Sequence, residues 1–293
     1  MNETVLIVGA GGQLGSELVA TAPAGVRLVA VTRGELDIAD EAAIAAVLQR
    51  ESPSTVINAA AYTAVDKAED EPEAAALGNA TGPGLLAAAC AAAGAWFLHI
   101  STDFVFDGSS SVPYVPDAAT APLGEYGRSK LEGELAVRKA LPEALIIRTG
   151  WVYSAFGHNF VKTMLRLMAD RDELGVVADQ VGTPTWARGL ALAVWAAVAR
   201  PQLTGTYHWS DAGVCSWYDF AVAICEEGVE LGFLHRPVNV LPIPAAQYPT
   251  PAQRPAYSVL DKSASWRDFE LTGVHWRAQL RGMLKDLKEQ ENA

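Results

Sequence analysis

A tyrosine and a lysine four residues apart are the first candidates for chemistry, Tyr126 and Lys130 in the segment YGRSK. On a helix, residues i and i+4 share one face, so the Lys130 ammonium would lie beside the Tyr126 phenol. A phenol has an ordinary pKa near ~10, and each unit of depression corresponds to about 1.36 kcal/mol of preferential stabilisation of the phenolate. The pair is therefore a candidate proton donor, although Tyr-x-x-x-Lys alone also occurs by chance on surface helices.

A hydroxyl pair ends an earlier predicted strand, in the segment Ser101-Thr102-Asp103. Reduction of a carbonyl by hydride from a nicotinamide needs one proton on oxygen and a hydrogen bond that orients the carbonyl. We predict that Tyr126 donates the proton and that Thr102 hydrogen-bonds the oxygen. Lys130 would tune Tyr126 and hold the nicotinamide ribose.

A glycine-rich turn follows the first predicted strand and opens the first helix, with Gly9, Gly12 and Gly15 in the segment GAGGQLG. Such glycines allow a tight turn, close approach to a pyrophosphate and close packing of helix on strand, while the helix N-terminus offers free N–H groups. Gly-x-x-Gly-x-x-Gly is weak evidence alone, and an ordinary turn is the alternative. Its position after the first strand favours a dinucleotide cofactor.

The second predicted strand is followed by Arg33, where many NAD-binding proteins have an acidic residue for the adenosine ribose. A guanidinium there suits a 2′-phosphate, so the sequence favours NADPH, with NADH as the alternative. A solvated loop position is the other interpretation of Arg33. We also predict adenine contacts from Asp37 and Ile38, and close approach of the cofactor to the small-residue loop Ala60-Ala61-Tyr62-Thr63.

Short apolar runs alternate with helical patterns through the first half of the chain. The runs are TVLIV (4–8), VRLVAV (26–31), TVI (55–57), WFLHI (96–100) and ALIIR (144–148). Continuous apolar strands are typical of a parallel sheet covered on both faces, and the alternation predicts a doubly wound α/β (Rossmann) sheet. Helices are predicted at about 13–22, 40–50, 66–93 and 126–140, the third broken near Gly82-Pro83-Gly84.

The pattern changes after about residue 150, where prolines become frequent and strands sparse. We predict a dinucleotide-binding domain over residues 1–150. Residues 151–293 would form a smaller, mostly helical substrate-binding lobe, with some segments returning to the sheet. This lobe would close over the carboxyl edge of the strands, where open α/β sheets bind their ligands.

Composition excludes several classes of partner. The 293 residues are 50% hydrophobic and carry 22 Lys+Arg against 34 Asp+Glu, a net charge of −12. A chain of this kind builds a substantial core, and its charge disfavours nucleic acid and anionic membrane surfaces. We therefore expect a folded, soluble, acidic protein that binds neither nucleic acid nor a membrane surface.

Cysteine and histidine positions predict no metal site. The three cysteines and five histidines do not fall at metal-ligand or redox spacings, so we expect reduced, buried cysteines. The segment MNETVLIVG lacks a basic leader pattern, and the longest apolar stretch, 85–98, is shorter than the ~20 residues that span a bilayer. We infer a cytoplasmic location.

The order of these motifs resembles the extended short-chain dehydrogenase/reductase superfamily. Within it, the chain is similar to the dTDP-4-dehydrorhamnose reductase family from about residue 4 to residue 285. The resembling segments are GAGGQLG (9–15), LDI (36–38), NAAAYTAVDKAE (58–69), STDFVFDG (101–108), YGRSKLEGE (126–134), RTGWVY (148–153), DQVGTPT (179–185) and RPAYSVLD (254–261). The fourth and the last of these are more diagnostic than the glycine turn.

The resemblance implies NADPH-dependent reduction of the C4 ketone of dTDP-4-dehydrorhamnose to dTDP-L-rhamnose, with a dTDP-sugar as substrate. It assigns the catalytic roles to Thr102, Tyr126 and Lys130. The cofactor contacts that it implies are Gly12, Gln13, Leu14, Asp37, Ile38, Ala61, Tyr62 and Thr63, and the sugar-nucleotide contacts are Thr102, Asp103, Trp151, Asn159 and Arg254. A core position is the alternative for Trp151, and surface roles are the alternatives for Asn159 and Arg254.

The sequence departs from the family pattern at a few positions. Phe104 stands where the family commonly has Tyr, and Pro116 replaces an acidic residue; neither carries the chemistry. Some family members dimerise around Mg²⁺ held by glutamates, and Glu17 matches one such position. Arg188 stands at another, and a guanidinium cannot ligate Mg²⁺. We therefore expect a monomer or a weak homodimer without a bridging metal.

Two other functions keep the same motifs. One is a catalytically silent, nucleotide-binding regulatory subunit on the same fold, as in some methionine adenosyltransferases. The intact set of Thr102, Tyr126 and Lys130 disfavours it. The other is a different sugar-nucleotide reductase or epimerase, which would keep the three residues and change the substrate pocket.

Overall fold

The computed structural model describes residues 3–291, and its first strands follow the apolar runs of the sequence. Among those residues the strands are β1 (Thr4–Val8), β2 (Arg27–Val31), β3 (Thr55–Asn58), β4 (Trp96–Thr102), β5 (Leu145–Thr149), β6 (Val152–Tyr153), β7 (Glu173–Val177), β8 (Val181–Gly182), β9 (Thr185–Trp186), β10 (Gly205–His208), β11 (Cys215–Ser216) and β12 (Asn239–Ile243).

The helices within the same residues lie between these strands or follow them. They are α1 (Gln13–Ala20), α2 (Glu41–Glu51), α3 (Val65–Ala68), α4 (Pro72–Ala76), α5 (Gly82–Ala93), α6 (Glu125–Ala140), α7 (Phe160–Asp170), α8 (Ala187–Val198), α9 (Trp217–Glu230), α10 (Ser263–Asp268) and α11 (Trp276–Glu291). A π-helical turn spans Leu77–Thr81, and 3₁₀ turns span Asp103–Val105 and Ala245–Gln247.

Six strands form one parallel sheet in the order β10-β5-β4-β3-β1-β2. β1 pairs with β2 on one side and with β3 on the other, so the direction in which the chain crosses the sheet reverses at β1. Ligands of open α/β sheets bind beyond the carboxyl ends of the strands at such a switch point. The glycine turn after β1 and the hydroxyl pair at the end of β4 therefore meet at one edge.

Helices cover both faces of the sheet, which explains why its strands are apolar throughout. Leu6 and Ile7 point to opposite faces of β1, and both are fully buried. Leu6 belongs to the core cluster that contains Leu86 of α5, whereas Ile7 belongs to the cluster that contains Leu18 of α1 and Leu190 of α8. The doubly wound α/β class predicted from the sequence is confirmed.

The second half of the chain builds a separate core, and two of its elements belong to the sheet. β10 pairs with β5, and α8 lies in the core cluster of the sheet. The separate core includes Tyr153, Phe220 of α9 and Leu280 of α11, all fully buried.

α9 begins with a capping box, in which the side chains of Ser216 and Asp219 each accept the backbone N–H of the other.

The break that we predicted near Gly82-Pro83-Gly84 lies elsewhere. The chain leaves the helix at residues 69–71, where Glu71 precedes Pro72 and has a non-helical ψ of 49°. A residue before proline avoids the helical region because the proline ring contacts its backbone. Pro83 instead lies in the first turn of α5, directly after the π-helical turn, and the helical path continues through it.

The cysteines agree with the expectation of buried thiols. Cys90, Cys215 and Cys225 are unpaired and buried. Within residues 3–291, none of the helices combines the length and the apolar character that crossing a bilayer requires.

Candidate active site

A cleft of about 1230 Å³ lies at the carboxyl ends of β1, β3, β4 and β5. The second half of the chain contributes Trp151, Trp217 and Arg254 to its lining. Pockets for one small molecule typically have volumes of ~300–1000 Å³, so this cleft has room for a dinucleotide and a second ligand together.

The glycine turn forms one end of the cleft. Gly9 has φ +87°, and a Cβ there would lie 2.6 Å from the Ala60 backbone nitrogen, so only glycine fits. A Cβ on Gly15 would overlap the Gly9 carbonyl oxygen, which makes Gly15 the close contact between α1 and the turn rather than part of the cleft lining. Gly12 caps α1 without a side chain, so the first amides of the helix face the space that Gln13 and Leu14 also line.

The other residues predicted to bind the cofactor line the same end of the cleft. They are Arg33, Asp37, Ile38, Ala60, Ala61, Tyr62 and Thr63. Arg33 is exposed, and no carboxylate within residues 3–291 pairs with its guanidinium. Tyr62 is fixed at both ends: its backbone N–H donates to Asn79 Oδ1 (2.8 Å) and its phenol donates to Glu71 Oε2 (2.6 Å).

Thr102, Tyr126 and Lys130 all line the cleft. Thr102 is the last residue of β4, and the other two lie one turn apart on α6. α6 begins at Glu125, whose backbone N–H donates to Glu69 Oε1 at 2.9 Å. The Lys130 side chain is buried, and its amine donates to the Ile100 carbonyl oxygen at 2.7 Å.

Burial dominates the proton affinities of this pair. It raises the pKa of Tyr126 to about 12, with Asp103 raising it further and a hydrogen bond with Thr102 opposing the rise. It lowers the pKa of Lys130 to about 8, against the opposing charge of Glu134. We expected the ammonium to hold the phenol pKa low; in the protein without ligands the phenol pKa is instead high, so Tyr126 stays protonated at neutral pH and can donate.

Asp103 is a buried carboxyl group directly beside Thr102. Burial raises its pKa to about 6, although hydrogen bonds from Ser258 and Thr102 oppose the rise. The Thr102 hydroxyl donates to Asp103 Oδ1 at 3.1 Å and accepts the Phe104 N–H at 3.2 Å. The Phe104 ring meets the Tyr126 ring edge to face, with centroids 5.6 Å apart. These contacts fix the rotamers around the reactive phenol.

Two tryptophans also line the cleft. Trp151 has a left-handed backbone, φ +51°, and its ring stacks on Trp217. A large residue in this conformation is uncommon, and such strain concentrates at binding sites. Nothing in the local sequence of Trp217 separates it from the buried Trp195 and Trp209, so the sequence alone did not place it in the cleft.

Arg254 and Asn159 differ in their relation to the cleft. Arg254 lines it, anchored by Asp66 (2.8 Å) and by the Ala252 carbonyl (3.2 Å). Asn159 is not among the lining residues: it caps α7 and donates to Gln13 Oε1 (3.0 Å) and to the Ser154 carbonyl. A direct substrate contact from Asn159 stays a prediction, and its observed contact with the cleft runs through Gln13.

Comparison with known proteins gives the same family. The model of the RmlD substrate binding domain family matches residues 3–289. The dTDP-4-dehydrorhamnose reductase of Burkholderia thailandensis is 41% identical over 296 residues, covering 98% of this chain and 99% of the relative. The chain belongs to the dTDP-4-dehydrorhamnose reductase family. The resemblance found in the sequence is therefore confirmed.

Solved structures of the family have the same fold. A dTDP-4-dehydrorhamnose reductase from Clostridium acetobutylicum is 39% identical, with a TM-score of 0.91 over 97% of this chain and 99% of its own. A dTDP-4-dehydrorhamnose reductase from Bacillus anthracis, in complex with NADP, is 36% identical, with a TM-score of 0.92 over 98% of this chain and 100% of its own. The likeness extends over both halves of the molecule.

Glu17 and Arg188, the positions at which the sequence departs from metal-bridged family members, are in contact. Arg188 Nε lies 3.2 Å from Glu17 Oε2, and the same guanidinium also pairs with Asp286. Ser154 donates to the other Glu17 oxygen at 2.7 Å. Both oxygens of this fully buried carboxylate therefore have partners from the chain itself.

Proposed function

We propose that the protein reduces the C4 ketone of dTDP-4-dehydrorhamnose with NADPH to give dTDP-L-rhamnose. The observation that carries the proposal is that Thr102, Tyr126 and Lys130 line one cleft with the glycine turn that follows β1. The family relatives that bear this activity in their names cover almost the whole chain.

The cofactor end of the cleft fits a dinucleotide. Gly9 lets the turn lie directly against the backbone of Ala59 and Ala60, and Gly12 caps α1 without a side chain. The first amides of α1 are therefore available to an anionic diphosphate. Arg33 and Lys130 both line the cleft. Arg33 would meet a 2′-phosphate, and Lys130 would meet the nicotinamide ribose. When bound, NADPH would supply the hydride.

The chain itself supplies the proton. Tyr126, protonated because its pKa is about 12, donates to the ketone oxygen as that oxygen gains negative charge. Thr102 orients the same oxygen once its hydroxyl turns from Asp103. Trp151 and Trp217 cover the apolar face of the sugar, and Arg254 meets the nucleotide end of the substrate.

A coupled assay tests the function. The 4-keto sugar nucleotide is generated enzymatically, the protein and NADPH are added, and nicotinamide absorbance is followed. We expect consumption of NADPH that a Tyr126→Phe variant does not support. Consumption of NADPH that does not exceed that of the Tyr126→Phe variant would contradict the proposal. No consumption with any keto sugar nucleotide would favour a silent nucleotide-binding subunit, whereas consumption only with other keto sugar nucleotides would favour another sugar-nucleotide reductase.

We further propose that residues 1–150 form the nucleotide-binding domain. Residues 151–293, apart from α8 and β10, would form the substrate-binding lobe; their separate core around Phe220 supports this division. We propose a cytoplasmic location, which three unpaired cysteines and an NADPH cofactor support.

We also propose a monomer or weak homodimer without a bridging metal, because the Arg188 guanidinium already pairs with the Glu17 carboxylate. Light scattering with Mg²⁺ and with a chelator tests this proposal. The same mass in both conditions is expected, and a tight dimer that the chelator dissociates would contradict it.

A further inference from the structure

A buried histidine, His99, lies between the cofactor loop and the catalytic lysine. It is wholly inaccessible on β4, and burial together with the charge of Lys130 holds its pKa well below the ordinary value. It is therefore neutral, with one ring nitrogen carrying a hydrogen and the other a lone pair. From the sequence we expected only that the spacing of the histidines does not fit a metal site.

The neighbours of His99 determine which nitrogen carries the hydrogen. The backbone N–H of Ala60 points at Asn58 Oδ1 (3.1 Å), and because an N–H can only donate, the amide oxygen must face it. The Asn58 amino group then faces His99 Nδ1 at 3.0 Å. An amino group also only donates, so Nδ1 must be the lone pair and Nε2 must carry the hydrogen.

The Nε2–H faces the Lys130 amine at 3.5 Å. An ammonium group has three N–H donors and no acceptor, so it would meet this N–H donor to donor. A neutral amine has a lone pair that accepts it, while still donating to the Ile100 carbonyl oxygen. The arrangement therefore favours the neutral form of Lys130 over the charged form.

The other charged groups around Lys130 are already engaged. On α6, Glu134 lies one turn beyond Lys130, and both of its oxygens accept from Arg148 of β5, at 2.8 and 2.7 Å. Glu134 also accepts from the Ser101 hydroxyl of β4. Tyr126, one turn before Lys130, is uncharged because its pKa is about 12. Among the β4 side chains, His99 is therefore the one that directs an N–H at the Lys130 amine.

We propose that His99 is a positioning residue for Lys130: Asn58 fixes it as the Nε2–H tautomer, and its N–H favours the neutral amine. The chain Ala60, Asn58, His99, Lys130 then connects the loop that lines the cofactor end of the cleft to the proton affinity of the lysine. The link to catalysis rests on the proposed function, but the tautomer and the lysine titration do not.

Asn58→Asp is the most direct test. A carboxylate has the shape of the amide, but it faces His99 Nδ1 with an oxygen that accepts a hydrogen bond instead of an amino group that donates one. One oxygen would still accept the Ala60 N–H, and the other would require a hydrogen on His99 Nδ1. His99 Nε2 would then become a lone pair that accepts from the ammonium. We expect the pKa of Lys130 to rise by about one to three pH units, the range for a favourable charged neighbour.

Nuclear magnetic resonance on the full-length protein tests this without substrate. With ¹⁵N-histidine labelling, the wild-type His99 signals, assigned by their loss in His99→Leu, are expected to show hydrogen on Nε2, and Asn58→Asp is expected to move it to Nδ1. With ¹³C-lysine labelling, the Lys130 signal is assigned by its loss in Lys130→Met and titrated. Hydrogen on Nδ1 in the wild type would overturn the proposal even if Asn58→Asp does not fold.

A double-substitution cycle separates the tautomer effect from the added charge. If the effect passes through His99, the shift in the Lys130 titration caused by Asn58→Asp should fall to less than half in a His99→Leu background; an undiminished shift would overturn the proposal. His208→Leu is the matched control, because His208 is also buried on the sheet but bonds to the Tyr114 carbonyl. It should leave the titration unchanged.

The activity arm uses the pH profile of kcat/KM for ketone reduction. We expect its alkaline limb to move upward with the Lys130 titration in Asn58→Asp and to stay in place in the control. If the Lys130 pKa rises in Asn58→Asp but the alkaline limb of kcat/KM does not move, the link between His99 and catalysis is overturned. If the wild type reduces no ketone, the proposed function fails, whereas the resonance measurements still decide the role of His99.

Discussion

The indole ring of Trp151 lies parallel to that of Trp217, with centroids 3.5 Å apart and planes inclined by 5°. The two residues are 66 positions apart, and the stack joins the strand region after β5 to the first turn of α9. Trp217 lies in the first turn of a helix, whereas Trp151 has φ +51°. The stack therefore holds a residue with a strained backbone in the lining of the cleft.

Replacing Trp217 by Ala should weaken substrate binding. Offset or stacked aromatic pairs are worth about 0.5–1.5 kcal/mol beyond their buried area, so KM for the nucleotide sugar should rise about two- to tenfold, with a smaller change in kcat. The KM of Trp217→Phe should lie between the KM values of this variant and the wild type. Trp195→Phe, which changes a buried tryptophan bonded to the Leu18 carbonyl, should leave KM unchanged. An unaltered KM in Trp217→Ala would show that the stack does not serve the substrate.

Replacing Tyr126 by Phe should remove the proton donor and little else. General acid catalysis contributes about 10²–10⁴-fold, so kcat should fall by that factor while the affinity for NADPH, measured by fluorescence titration, stays within about twofold. The exposed Tyr248, changed to Phe, is the matched control and should retain full activity. A loss of NADPH affinity that accounts for the whole drop in rate would contradict the assignment.

Replacing Arg33 by Ala should change the cofactor preference. A hydrogen bond to a charged group contributes about 1.5–3 kcal/mol, so the Kd of NADPH should rise about tenfold or more. The Kd of NADH, which lacks the 2′-phosphate, should change little. Arg50→Ala serves as the control, since Arg50 is exposed on α2 and pairs with Glu51. If the Kd values of NADPH and NADH rise by the same factor, Arg33 is not a 2′-phosphate contact.

Asp211 should make the stability of the protein depend on pH. Burial raises its pKa to about 8, although the Trp186 N–H, at 3.0 Å, opposes the rise. The folded protein then holds a proton that the unfolded chain releases above its ordinary pKa of 3.8. Stability should therefore fall as pH rises from about 4 to about 8, by up to about 1.36 kcal/mol per pH unit.

Urea unfolding of the wild type and of Asp211→Asn at pH 5 and at pH 8 measures this effect. Between pH 5 and pH 8, the unfolding free energy of the wild type should fall relative to that of the variant, because asparagine carries no ionisable proton. Asp170→Asn, on the exposed end of α7, should show no such change. Parallel pH dependences for wild type and Asp211→Asn would contradict the assignment.

The sequence by itself determined the features that depend on local pattern. Gly9 and Gly15 follow a strand and precede a helix, and that order alone placed them at a nucleotide turn. The spacing of Tyr126 and Lys130 placed both on one helical face, and the apolar runs predicted the five strands of the first half. These properties follow from chain geometry over a few residues, which is why they can be predicted without the fold.

Tertiary structure decided which residues meet and which groups hold their protons. It brought Trp217 into the cleft and gave Asn159 a capping role, although neither differs in local sequence from ordinary core and surface residues. It placed Asn58 and His99, 41 positions apart on neighbouring strands, in contact, and so fixed the hydrogen that faces Lys130. Proton affinity depends on burial and on nearby donors and charges, and only the packed chain supplies these.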